Sequence, residues 1–191
     1  MIAALLASHN RHKLEELRAA LPDWQIDALE AAEAPEETGE TYYENALLKA
    51  RFGRSLAPPE RFILGEDSGI ECAALDGGPG LHSARWAPGA DQADALLERL
   101  ADAENRAARM VSELVCITPT LELVRGSGVL EGEIARARHG EGGFGYDPIF
   151  VPAGYERTVA EIGDEWKRRN SHRARAARAL AAAFAGSSLS R

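Results

Sequence analysis

Arg61-Phe62-Ile63-Leu64-Gly65-Glu66-Asp67-Ser68-Gly69-Ile70-Glu71-Cys72-Ala73-Ala74 sets two apolar runs on either side of a polar tetrapeptide. Arg61 to Gly65 and Ile70 to Ala74 read as strands flanking Glu66-Asp67-Ser68-Gly69, which places two adjacent carboxylates at a strand end. Asp76-Gly77-Gly78-Pro79-Gly80 then demands a tight, glycine-dependent loop.

Upstream of this stretch, Met1 to Ala7 is apolar and reads as a buried first strand. It has no basic lead and is too short for a bilayer span or a signal peptide, so no membrane partner is expected. Ser8-His9-Asn10-Arg11-His12-Lys13 forms a polar loop into a helix whose Leu14, Leu17 and Leu21 share one face and which Pro22 closes. Trp24 to Leu29 reads as a second strand, and Glu30 to Glu40 as an acidic loop. Thr41-Tyr42-Tyr43-Glu44 has the form of a capping box, with the helix running on to Arg54 before Pro58-Pro59.

Downstream, Asp91 to Ala103 is helical with Ala95, Leu96, Leu100 and Ala103 inward. Arg109 to Thr118, Leu121 to Val124 and Val129 to Ala135 give three strands, with Arg125-Gly126-Ser127-Gly128 as a turn between the last two. Ile149 to Val151 follows the glycine-rich Gly140 to Gly145, and a final helix over about Ser171 to Ala185 faces its core with Ala177, Leu180, Ala181 and Phe184. Strands interleave with helices yet several follow one another by turns, so the expected class is α/β with a mixed sheet covered by helices. The 191 residues suit one domain, since domains hold roughly 100–200 residues. Gly186 to Arg191 is expected to fray.

A net charge of −8 argues against a nucleic-acid polymer as partner, though not against a small anion in a local basic pocket. Cys72 and Cys116 lie in apolar stretches without zinc or disulfide spacing, which points to core thiols in the reducing cytoplasm.

Against 19 arginines the chain has three lysines, Lys13, Lys49 and Lys167. A compact ammonium meets phosphate where a planar guanidinium does not fit, although three scattered lysines also arise by chance. Lys13 opens a helix, where free amides and the dipole favour bound phosphate, while Asn10 could simply cap that helix. The loop lacks the P-loop pattern. Glu36, Glu37, Glu40 and Glu44 gather in one place and Glu66 and Asp67 in another. Carboxylates converging from separate segments need a cation, and hard oxygen ligands near phosphate suit Mg²⁺; Glu44 is accounted for by its capping box. Phe144 lies between glycines, where its ring can stack on a base or fill a hairpin core. Lys167 with Ser171-His172-Arg173 can read a base edge or solvate a helix start.

Four segments together resemble the inosine/xanthosine triphosphate pyrophosphatase family, the non-standard purine NTP pyrophosphatases. They are Ser8 to Lys13, Glu36 to Ala46, Glu66 to Gly69 with Pro79 to Arg85, and Gly143 to Pro148 with Ser171 to Arg173, in matching order over nearly the whole chain. The resemblance implies a single two-lobed domain over 1–185, a long mixed sheet, an active-site cleft between lobes and a homodimer. It implies hydrolysis of ITP, dITP or XTP to the monophosphate and pyrophosphate, with Mg²⁺ as cofactor and the nucleotide pool as the place of action. Asp67 matches the general base and metal ligand, and one or both of Glu36 and Glu37 the other metal-binding acid. Ser8, His9, Asn10, Arg11, His12, Lys13 and Lys49 match phosphate-handling positions, with Ser68 beside them. Phe144, Gly145, Tyr146, Asp147, Lys167, His172 and Arg173 match residues that hold and read the base. Glu66 departs from the family's usual second aspartate, and His9 stands where glycine is frequent. The rival readings are a relative acting on modified pyrimidine nucleotides and a silent nucleotide-binding module.

Overall fold

The computed structural model describes residues 1–31 and 33–186. In chain order these form β1 (Ile2–Leu6), α1 (Arg11–Ala20), β2 (Trp24–Ala28), α2 (Tyr42–Leu56), β3 (Phe62–Cys72), α3 (Gln92–Arg99), β4 (Ala107–Ile117), β5 (Leu123–Ile134), β6 (Phe150–Pro152), α4 (Val159–Ile162), α5 (Asp164–Asn170) and α6 (His172–Gly186). The strands make a six-stranded sheet ordered β2-β1-β3-β4-β5-β6. β1 runs parallel to both β2 and β3, whereas β6 runs antiparallel to β5, so the fold is the expected mixed α/β class. Parallel neighbours need crossover connections, and α1 and α2 supply them.

The chain divides into two compact units, one of residues 1–67, 112–128 and, among the described residues, 172–186, the other of residues 68–111 and 129–171. In the first, Leu6, Leu14, Leu17, Ile26, Leu64, Leu114 and Leu180 form the core, and Trp24, Phe62 and Phe184 meet edge to face. In the second, Ile70, Leu96, Leu100, Leu130, Ile134, Ile149 and Phe150 do the same. Each such buried aliphatic or aromatic side chain contributes about 1.5–3 kcal/mol. Cys72 and Cys116 are buried free thiols, one in each core.

Local chemistry starts the helices. Asn10 accepts from the His12 and Lys13 amides at the head of α1, and Thr41 and Glu44 form the expected capping box on α2. Asp91 caps α3, and Thr158 with Glu161 makes a second capping box on α4.

Three readings of the sequence need correction. β3 is one uninterrupted strand, so Glu66 to Gly69 is not a break and the two carboxylates lie mid-strand. Their charge is met by buried and half-buried cations, which lets the backbone stay extended; the chain turns later, at Asp76 and Gly77, both at positive φ. β5 likewise runs through Arg125-Gly126-Ser127-Gly128 without a turn. Its glycines lie against the α6 backbone, close enough that a Cβ on either would collide with it. α3 stops at Arg99, and Ala93 rather than Ala95 joins Leu96 in its buried face. Beyond these, α4 and α5 occupy a segment too short for helical periodicity to declare itself. The expected fraying of the tail concerns, from residue 187 on, positions outside those described.

Candidate active site

Lys13 and Lys49 come from α1 and α2 and meet adjacent residues of β3 in the first unit. Lys13 Nζ lies 2.7 Å from Glu66 Oε2, and Lys49 Nζ lies 2.7 Å from Asp67 Oδ1. The loop before Lys13 is partly consumed by its own geometry. Asn10 Oδ1 accepts from the His12 and Lys13 amides at 3.0 and 3.3 Å, Ser8 Oγ accepts from the Asn10 amide, and His9 Nε2 sits 3.1 Å from the Ala31 carbonyl oxygen. Arg11 and His12 are exposed.

Glu66 is fully buried and surrounded by donors. Besides Lys13, its Oε1 accepts from Ser112 Oγ at 2.9 Å and from Arg173 Nε at 3.0 Å. Burial opposes its charge, but Arg173, Lys13 and Lys49 together outweigh that and hold the carboxyl well below the usual carboxylate range. Arg173 reaches on through Nη1 to Glu16 Oε2 at 2.5 Å, and these two acids keep the guanidinium charged despite burial. Arg173, matched to the base-reading group in the sequence, bridges Glu66 and Glu16 in the structure.

Asp67 has fewer cationic partners. Its Oδ1 is held by Lys49, and Asn45 Nδ2 donates to Oδ2 at 3.4 Å. Burial raises its carboxyl above the ordinary value, only partly offset by Lys49. Lys49 also lies 2.5 Å from Glu37 Oε1, and Asp67 and Glu37 together hold the ammonium above its ordinary value even though burial works against it. Asn45 and Lys49 are four residues apart on one helical face, and Gly65 lets that face lie against β3, where a Cβ would strike the Ala46 carbonyl. Asn45 Oδ1 also accepts from the Gly39 amide at 2.8 Å, which ties the acidic loop to the same group.

Among the described residues no three His, Cys, Asp or Glu side chains gather as a ready-made metal site. Glu37 and Asp67 meet on the Lys49 ammonium, whereas Glu36 is exposed and Glu66 is spent on Lys13, Ser112 and Arg173. Two carboxylates fit Mg²⁺, which commonly binds through one or two of them plus substrate phosphates.

The second unit holds a smaller group. Asp147 Oδ2 lies 2.5 Å from Lys167 Nζ and accepts from the Phe144 amide at 2.7 Å, with both charged side chains buried. The ammonium also sits over the Phe144 ring, 4.0 Å from its centroid. Gly143 and Gly145 adopt positive φ on either side of Phe144, and a Cβ on Gly143 would strike the Asp147 carboxylate. Tyr146 donates its hydroxyl to the Ser83 carbonyl at 2.8 Å. Ser68 is half-buried, next after Asp67 in β3, and His172 is buried as the first residue of α6.

The expected residues thus gather as two groups, Lys13, Glu37, Lys49, Asp67 and Arg173 in one and Phe144, Asp147 and Lys167 in the other. Asn45, Ser112 and Glu16 were not anticipated. Only Asn45 left a signal, its spacing from Lys49; Ser112 and Glu16 reach the site through contacts distant in sequence.

The model of the Ham1 family matches residues 4–183. A dITP/XTP pyrophosphatase of Symbiobacterium thermophilum is 49% identical over 182 residues, covering 90% of this chain and 89% of that protein. One of Deinococcus deserti is 41% identical, covering 94% and 88%. Among solved structures, the Staphylococcus aureus Ham1 protein superposes with a TM-score of 0.83 at 34% identity, covering 96% of this chain and 98% of that one. A HAM1 protein from Coxiella burnetii gives the same score and identity over 98% and 100%. With sequence and fold agreeing over nearly its full length, the chain belongs to the Ham1 family.

Proposed function

We propose that this chain hydrolyses the non-standard purine nucleoside triphosphates ITP, dITP and XTP to the monophosphate and pyrophosphate, removing them from the nucleotide pool. The dITP/XTP pyrophosphatases named above support the reaction. The observation that carries it is the pairing of Lys13 and Lys49 with two adjacent carboxylates of opposite character, one held ionised and one raised.

Water attacks the α-phosphorus as the bond to the bridging oxygen breaks, and pyrophosphate leaves with the electron pair. Asp67 takes the proton from the attacking water and passes it to solvent. Lys13 and Lys49 face the negative charge that grows on the phosphates, with Glu66 fixing Lys13. Ser8 and Ser68 complete the phosphate group. Glu37 and Asp67 would hold a magnesium ion, which would supply further neutralisation of the triphosphate charge.

Phe144, Lys167 and His172 are assigned to the base, the ring to stack on it and the other two to present donors. A 6-oxo purine offers an acceptor where adenine has an amino donor, so those donors favour hypoxanthine and xanthine. We read the protein as a cytoplasmic homodimer acting on small nucleotides; no helix among the described residues is long and apolar enough to cross a membrane.

The test is pyrophosphate release across a nucleotide panel with and without Mg²⁺. ITP, dITP and XTP should lead and activity should need the metal. Preference for dTTP or UTP would overturn the substrate assignment in favour of a pyrimidine enzyme, and no pyrophosphate from any nucleotide would leave a binding module. Light scattering on the eluted protein tests the dimer.

A further inference from the structure

Gly126 and Gly128 stand two residues apart in β5, hence on the same side of the strand, and both lie beneath α6. A Cβ on Gly126 would collide with the Ala176 carbonyl oxygen and crowd the Leu180 amide. One on Gly128 would collide with the His172 carbonyl oxygen and the Ala176 amide nitrogen. At both places the obstacle is backbone, which cannot swing aside as a long side chain can. The helix therefore rests directly on the strand at two points about one turn apart.

The two points support different things. Above Gly126 lies the second turn of α6, whose Ala176, Ala177 and Leu180 pack into the core. Above Gly128 lies the first turn, which carries His172 and Arg173. Arg173 is 2% exposed and bridges Glu66 at 3.0 Å and Glu16 at 2.5 Å, so neither contact tolerates a lifted helix end. Glu66 in turn holds Lys13.

We infer that Gly128 is a positioning residue for the reaction: its missing side chain sets the height of the first turn of α6, and through it the placement of Arg173, Glu66 and Lys13. The inference rests on the proposed nucleotide hydrolysis. A misplacement of about 1 Å at such groups costs on the order of 10²-fold in rate.

Gly126→Ala and Gly128→Ala make a matched pair, because each adds one methyl group against the same helix. Both should lower Tm to a similar degree. Gly128→Ala should also lower kcat/KM for ITP by roughly 30-fold or more and narrow the ratio of ITP to ATP turnover. Gly126→Ala should stay within about threefold of the parent with that ratio kept. Equal kinetic losses in the two variants, parent-like kinetics in Gly128→Ala, or failure of either to fold would overturn the inference, since the glycines would then serve only the fold. A parent protein inactive on ITP would overturn the proposed function, a result distinguishable from all of these.

Discussion

The charged group of the first unit and that of the second use the same ingredients, lysine and carboxylate, to opposite ends. In the first, Lys13, Lys49 and Arg173 are interleaved with Glu16, Glu37, Glu66 and Asp67. In the second, the ion pair of Lys167 with Asp147 is buttressed by the Phe144 ring and backbone amide. Interleaving is what allows neighbours in sequence to differ: Glu66 has three cations near it and is held below the carboxylate range, while Asp67 answers mainly to Lys49 and is raised by burial. Two carboxylates pushed apart in this way are suited to separate tasks, one as a permanent charge and one as a proton acceptor. The Lys167–Asp147 pair shows no such division and offers shape and a fixed donor instead.

Breaking the first group should hurt most. Asp67→Asn removes the acceptor and should lower kcat on ITP by about 10³-fold with little change in KM; a variant as fast as the parent would show that the base lies elsewhere. Glu66→Gln leaves Arg173 and Lys13 short of a buried counter-charge and should cost about 3 kcal/mol in denaturant unfolding at pH 7. The sign with pH follows from the lowered carboxyl. Its contribution is full above the unfolded value of 4.5 and fades as pH falls through the lower folded value, so the gap between parent and variant should close on acidification. A gap that widened in acid would sink that account. Lys13→Ala should reduce kcat/KM by roughly 10²-fold, and a change below about threefold would confine it to pairing with Glu66. In the second group, Phe144→Ala should raise KM by about tenfold while leaving kcat nearly unchanged, as expected when a stacking contact of about 1–3 kcal/mol is lost equally from ground and transition states. A loss in kcat instead would move Phe144 to the reacting end.

Much of this is legible in the sequence alone. Periodicity located α1 and α6, and a four-residue pattern located the start of α2, because the Thr41 and Glu44 cap depends only on local geometry. The scarcity of lysine singled out three residues that all proved buried or partly buried against carboxylates. What misled were the polar and glycine-rich stretches inside strands. Glu66-Asp67-Ser68-Gly69 and Arg125-Gly126-Ser127-Gly128 carry turn-forming residue types, yet both remain extended. In one the cations arrive from three helices, and in the other a helix backbone fills the space where side chains would stand.

The sequence by itself determined the elements that rest on contacts a few residues long: the helix caps, the apolar strands, the tight loop after Leu75, and the set of residues worth suspecting. Only the tertiary structure decided which of those residues belong together. Arg173 lies 107 positions from Glu66 and 157 from Glu16, and Lys49 lies 18 from Asp67, so no local pattern could report these pairs. It also decided which of two adjacent acids is the fixed charge. Burial is common to Glu66 and Asp67, and the number of cations brought to each by α1, α2 and α6 is not.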